Sequence, residues 1–129
     1  MKLSKLLGLM VLALGISLGT QSCKTTKGVS LEKLDGAWNL KTLNGEEASV
    51  SFEKKVPSVK FNIAASSVSG YGGCNTYTGS FKFEKGEFSA PNLASTMMMC
   101  VYQNKESEYL KTIGKPSKLS FSEIGTLVF

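Results

Sequence analysis

The sequence predicts a mainly β domain: a small, curled antiparallel sheet or barrel-like fold carrying one α-helix. Three observations predict it. Short runs alternate apolar and polar residues, as at Val59, Phe61 and Ile63 against Lys60, Asn62 and Ala64, the period-two signature of a half-buried strand. Residue pairs that accept positive φ, Asn44-Gly45 and Lys85-Gly86, lie between such runs. The 129 residues, 42% of them hydrophobic, suffice for one ordinary globular core and exclude a second full domain.

Taken in order, the chain opens with a segment that does not belong to the fold. Lys2 and Lys5 precede the uncharged run Leu6–Gly19, a basic region followed by an apolar stretch too short to span a bilayer comfortably, which is the pattern of an export signal. Cys23 follows directly, after the small Ser22. This arrangement resembles the lipobox of bacterial lipoproteins, which implies that residues 1–22 are a signal peptide and that the Cys23 thiol carries acyl chains. The alternatives are a soluble secreted protein cleaved nearby, with Cys23 as an odd thiol, and an uncleaved anchor. Acyl chains at about 0.8 kcal/mol per buried methylene anchor a protein durably. Lys24 in place of Asp gives no signal for inner-membrane retention, so the expected location is the outer membrane, facing the periplasm. Residues 23–30 are polar and small and read as a tether, leaving residues 31–129 as the domain.

Strands are expected around Trp38 and Leu40, Val50 and Phe52, Val59 to Ile63, Phe81 and Phe83, and Leu119 and Phe121. Phe83-Glu84-Lys85-Gly86-Glu87-Phe88 reads as a hairpin tip. The one helix is expected from Asn104, a capping residue, through Glu106 and Glu108 in the first turns. Tyr109, Leu110 and Ile113 share its inner face, and Gly114 and Pro116 stop it.

Composition narrows the chemistry. All fifteen cations are lysines and there is no His, so imidazole bases, nitrogen metal ligands and guanidinium forks are missing. Loss of residues 1–22 lowers the net charge from +5 to +3. Lysines are scattered, with Lys54-Lys55 the one doublet beyond the signal and no interleaved aromatics, so nucleic acid is not an expected partner. No metal, cofactor or catalytic residue is expected. An enzyme would need Glu106 or Glu108 paired with a second carboxylate in a cleft.

With Cys23 acylated, Cys74 and Cys100 remain, an even number in an oxidising compartment, and a disulfide is expected. A redox role would want Cys-x-x-Cys spacing or a cationic neighbour, and neither is present. The segment from Ser69 to Ser80 holds four glycines but lacks a phosphate-cradling pattern. Bulges, positive φ and close strand approach account for them better, with Tyr71 and Tyr77 packing over the gaps. Asn75 can tie a turn together or face a ligand, and the turn is favoured. Met97, Met98 and Met99 are expected to fill the core, with one exposed, rather than to converge on Cu(I) from alternating faces of a strand.

Gly70-Tyr71-Gly72-Gly73-Cys74-Asn75-Thr76-Tyr77-Thr78-Gly79, then Leu93 to Cys100 with its Thr96-Met97-Met98-Met99-Cys100 ending, then Glu108-Tyr109-Leu110, resembles the META domain of HslJ-like proteins. Leu34 to Leu40 and Leu43-Asn44-Gly45 fit the same family's opening. Met97 stands where a basic residue is common. The resemblance implies a compact, mainly antiparallel barrel-like domain with a helix, often carried by envelope lipoproteins and associated with stress responses. It implies Cys74 and Cys100 as the paired cysteines and Asn75, Tyr77 and Thr96 as motif positions, and no known reaction. The expected function is therefore a monomeric, membrane-anchored, non-enzymatic envelope lipoprotein that binds something in the envelope. The alternatives are a small-ligand carrier of lipocalin-like barrel type, or an inhibitor of a secreted hydrolase that presents Gly72 to Thr78.

Overall fold

A computed structural model describes residues 30–121 and 126–129. The signal segment, Cys23 and nearly all of the tether lie outside the described residues. No described helix is long and apolar enough to cross a membrane.

The elements in chain order are α1 (Leu31–Leu34), β1 (Gly36–Asn39), the small hairpin β2 (Thr42–Leu43) and β3 (Glu46–Glu47), α2 (Ala48–Ser51), β4 (Ser58–Asn62) and β5 (Ser67–Tyr71). They continue with β6 (Thr76–Glu84), β7 (Glu87–Ser95), α3 (Glu106–Gly114), β8 (Ser117–Lys118), β9 (Ser120–Phe121) and β10 (Leu127–Val128). Strands β1-β4-β5-β6-β7-β8 form one antiparallel sheet, curled into a half-barrel. The mainly β class is as the sequence predicts.

Alternation does most of the work. In β4, Val59 and Phe61 are buried while Lys60 and Asn62 face water, so a one-residue slip would turn the core outward. Both two-residue turns adopt positive φ: Asn44 and Gly45 at 49° and 84°, Lys85 and Gly86 at 53° and 78°, matching the twist of a tight hairpin. Between β6 and β7 the register shifts, with Ser80 opposite Asn92 and Lys82 opposite Ser89. Pro91, which has no N–H to give a ladder, falls inside this bulge. The concave face is filled by Phe61, Phe81 and Phe88, with Phe61 meeting Phe88 edge-on at 5.6 Å. From α3, Tyr109 and Ile113 close over it, which is the helical face the sequence predicts.

Three expectations are corrected. The described residues hold three helices rather than one, because α1 and α2 are single turns too short for a 3.6-residue period to register. The strand expected at Val50 and Phe52 is α2 and its exit: Ala48 and Phe52 are both buried, Phe52 N–H donates to the Ala48 carbonyl at 2.9 Å, and Val50 faces solvent. Three residues of alternation fit one helical turn with buried i and i+4 positions equally well. Helix α3 begins at Glu106, with Lys105 at the cap position. Asn104, the expected cap, still accepts the Glu106 N–H through Oδ1 at 3.2 Å.

Candidate functional site

One end of the sheet gathers the motif residues. Strand β5 ends at Tyr71, β6 starts at Thr76, and the turn Gly72–Asn75 between them is buried. Gly73 has φ +124°, and a Cβ there would lie 2.6 Å from Phe52 Cδ1, so only glycine combines this backbone with the ring beneath it. At Gly70 a Cβ would run first into the Ser58 backbone carbonyl of the neighbouring strand and then into the Tyr77 hydroxyl, 2.9 Å away, so the glycine serves close strand approach with a tyrosine packed beside it.

Glu106, at the first position of α3, organises the turn. Its Oε2 accepts the backbone N–H groups of Cys74 at 2.8 Å and Asn75 at 2.6 Å, and its Oε1 accepts Asn75 Nδ2 at 2.8 Å. A carboxylate that accepts two successive backbone donors makes strong, charge-assisted bonds. Asn75 then fastens the loop beyond β7: its Oδ1 accepts Met98 N–H at 2.6 Å and the Thr96 hydroxyl at 2.9 Å. The Thr96 Oγ1 in turn accepts Thr76 N–H at 3.2 Å. Cys74 and Cys100 are joined as a disulfide, with Cα atoms 6.1 Å apart. A second strap joins Glu53 and Gln103 through their backbones at 3.2 Å. Above it, Lys54 Nζ sits 4.9 Å over the Tyr102 ring and Lys55 Nζ 5.3 Å over that of Tyr71, a favourable placement for cations on aromatic faces.

Tyr77 serves the interior. Its hydroxyl lies 2.9 Å from both the Ser58 carbonyl and the Tyr109 hydroxyl. Burial pushes the Tyr77 phenol up to about 12, and burial together with the neighbouring Tyr77 raises Tyr109 as well. At the rim, the bond with Tyr102 and then burial push Tyr71 up to about 12.

These restraints hold a loop whose side chains touch little. Met97 is 97% exposed, Met98 61%, Met99 92% and Val101 92%, which corrects the expectation that methionines fill the core. Asn75 holds the Met98 backbone N–H and carbonyl, and the disulfide holds Cys100, so the loop is fastened without its methionine side chains. Asn75 is the turn-tying residue the sequence favoured. The structure unites Asn75, Thr96, Cys74 and Cys100 and keeps Tyr77 below them. Sequence reasoning missed Glu106 as the hub, taking it as a first-turn acid and as one of two carboxylates an enzyme would need. Its sole signal was an acid at the start of the helix, two residues after Asn104.

Both carboxylates named for catalysis are engaged: Glu106 by the turn, and Glu108 Oε1 by Asn44 Nδ2. Among the described residues, no group of three His, Cys, Asp or Glu is placed to hold a metal ion. A separate cleft of about 570 Å³ opens at the seam of the half-barrel, lined by Trp38, Leu40, Leu43, Tyr109, Ile113 and the C-terminal strand.

This chain belongs to the META domain family, which matches residues 30–129. It is similar to a protein whose structure was solved by NMR, at 26% identity and a TM-score of 0.56, over 74% of this chain and 81% of that one. No curated protein matches it.

Proposed function

We propose that this META domain is the binding module of a lipid-anchored, non-enzymatic envelope protein, and that it docks a partner protein through the strapped loop Met97–Val101. The observation that carries the reading is four large apolar side chains exposed on a backbone that is locked from beneath. An unfastened apolar loop collapses onto its own domain, whereas a fastened one is preorganised and loses little entropy on docking.

Topology supports the orientation. Gly36 pairs with Phe61 at the end of the sheet where the chain enters it from α1, while Ser58 pairs with Tyr71 at the other. From Phe61 to Ser58 β4 rises about 10 Å, and β7 ends with Ser95 beside Tyr77, so the loop after β7 leaves the sheet at the end away from Gly36. The export signal and the lipobox-like sequence support an outer-membrane, periplasm-facing location. The engaged state of Glu106 and Glu108 supports a role without catalysis. Of the two alternatives, the inhibitor reading shares this surface, with the loop moved from Gly72–Thr78 to Met97–Val101. The carrier reading rests on the seam cleft, whose volume suits a small apolar ligand. The stress-response association belongs to the same proposal and predicts higher protein levels under envelope stress.

A photo-crosslinking residue at Val101 should capture a discrete protein in cells, while the same group at Lys85, on the opposite hairpin tip, should not. Equal labelling from both positions would refute the loop as the docking surface. Cys23→Ala should move the protein out of the membrane fraction, and continued membrane association would refute the anchor.

A further inference from the structure

We infer that Met97, Met98 and Met99 form an oxidation site that switches the docking loop off: two-electron oxidants of the hypohalous acid class convert its thioethers to sulfoxides and so make its apolar surface polar. The inference rests on the docking role proposed for this loop.

Three features of the structure carry it. The three methionines are open to solvent, at 97%, 61% and 92% exposure. Met98 is fixed by its backbone N–H and carbonyl, not by its side chain, so the loop keeps its shape whatever the side chains become. The chain's other methionines, Met1 and Met10, lie in the export segment, so the domain has no buried methionine whose oxidation would unfold it. Oxidation of a core methionine disrupts packing; here its effect is confined to the surface. Leucine would give the loop the same apolarity, but only a thioether can have that apolarity removed reversibly. The neighbouring Cys74 and Cys100 are already a disulfide, so the readily oxidised sulfur on this face is the methionine triplet.

The step balances. Sulfur gives up an electron pair and gains an S–O bond, the O–Cl bond of hypochlorous acid breaks, chlorine leaves as chloride, and a proton passes to solvent. Methionine sulfoxide reductases reverse it at the expense of thiols.

The test has two arms. In the first, the full-length protein is titrated with hypochlorous acid and the added oxygens are mapped by mass spectrometry. Met97 and Met99 should be modified first and Met98 after them, with the melting temperature unchanged. Modification of Tyr71 or Tyr102 before the methionines, or loss of the fold at three equivalents, overturns the site. In the second arm, Val101 crosslinking is repeated in cells after a hypochlorous acid pulse. The native loop should lose its crosslink and recover it as sulfoxide is reduced. The M97L/M98L/M99L variant should crosslink before and after the pulse, and M97Q/M98Q/M99Q should never crosslink. A native crosslink that survives mapped oxidation, or a leucine variant that loses its own, overturns the switch. Absence of any crosslink before oxidation overturns the docking role and the switch with it, while the oxygen map still decides whether the triplet is the oxidation site.

Discussion

Replacing Glu106 by Ala removes one carboxylate and strands three donors: the backbone N–H groups of Cys74 and Asn75 and the side-chain amide of Asn75. Cys74 and Asn75 are only 4% and 7% exposed, so little water reaches their backbone in compensation. Bonds to a charged acceptor are worth about 1.5–3 kcal/mol each, and a stranded buried donor costs about 1–3 kcal/mol. Glu106 itself is half-buried, so water replaces part of the loss, and about 3 kcal/mol in total is a fair expectation. For a domain of about 100 residues, each kcal/mol shifts the melting temperature by roughly 4–8 °C, giving a fall on the order of 15 °C. Glu106→Gln should lose about half as much, because its amide oxygen still accepts the two backbone donors while its NH2 opposes the NH2 of Asn75. Thermal unfolding measures both variants, and a double-mutant cycle with Asn75→Ala should give a coupling of about 1 kcal/mol or more. A Glu106→Ala variant that melts within about 5 °C of the native protein, or additive losses in the cycle, would refute Glu106 as the organiser of the turn.

Reducing Cys74–Cys100 reopens a loop of 26 residues; the expected loss is about 3 kcal/mol, checked by melting in reductant and by faster proteolysis within residues 96–105. Gly73→Ala drives a methyl into Phe52 and holds alanine at φ +124°, for a cost of about 3 kcal/mol. Gly86→Ala, with open space around it but φ +78°, should cost only about 1 kcal/mol, with both variants measured by chemical denaturation. Tyr77 keeps its proton to about pH 12 when folded, against 10 for an ordinary tyrosine, so its contribution is complete below pH 10 and declines from pH 10 to 12 by about 1.4 kcal/mol per unit. Tyr77→Phe should therefore flatten the alkaline slope of stability, and an unchanged slope would contradict the buried, neutral phenol.

How far the sequence reached depended on the range of each interaction. The β4 alternation, the Asn44-Gly45 and Lys85-Gly86 turns and the inner face of α3 are dictated by neighbours a few residues apart, and each was legible. Helix α2 was not, because Val50 and Phe52 satisfy both a strand's period and a single helical turn, and the choice lies with Phe52 packing beneath Gly73. The methionines were misplaced for a similar reason. Apolar residues belong inside by default, and only a loop already fastened by Asn75, Glu106 and the disulfide leaves them outside.

The sequence by itself determined the fold class and the family motif, since these rest on composition and local spacing. Tertiary structure decided what the motif is for. Glu106 meets Cys74 and Asn75 across more than 30 residues of chain, and no local pattern encodes that meeting. Asn75, fixed by those bonds, holds the Met98 backbone, and the disulfide holds Cys100, which leaves the side chains of Met97, Met98, Met99 and Val101 facing solvent.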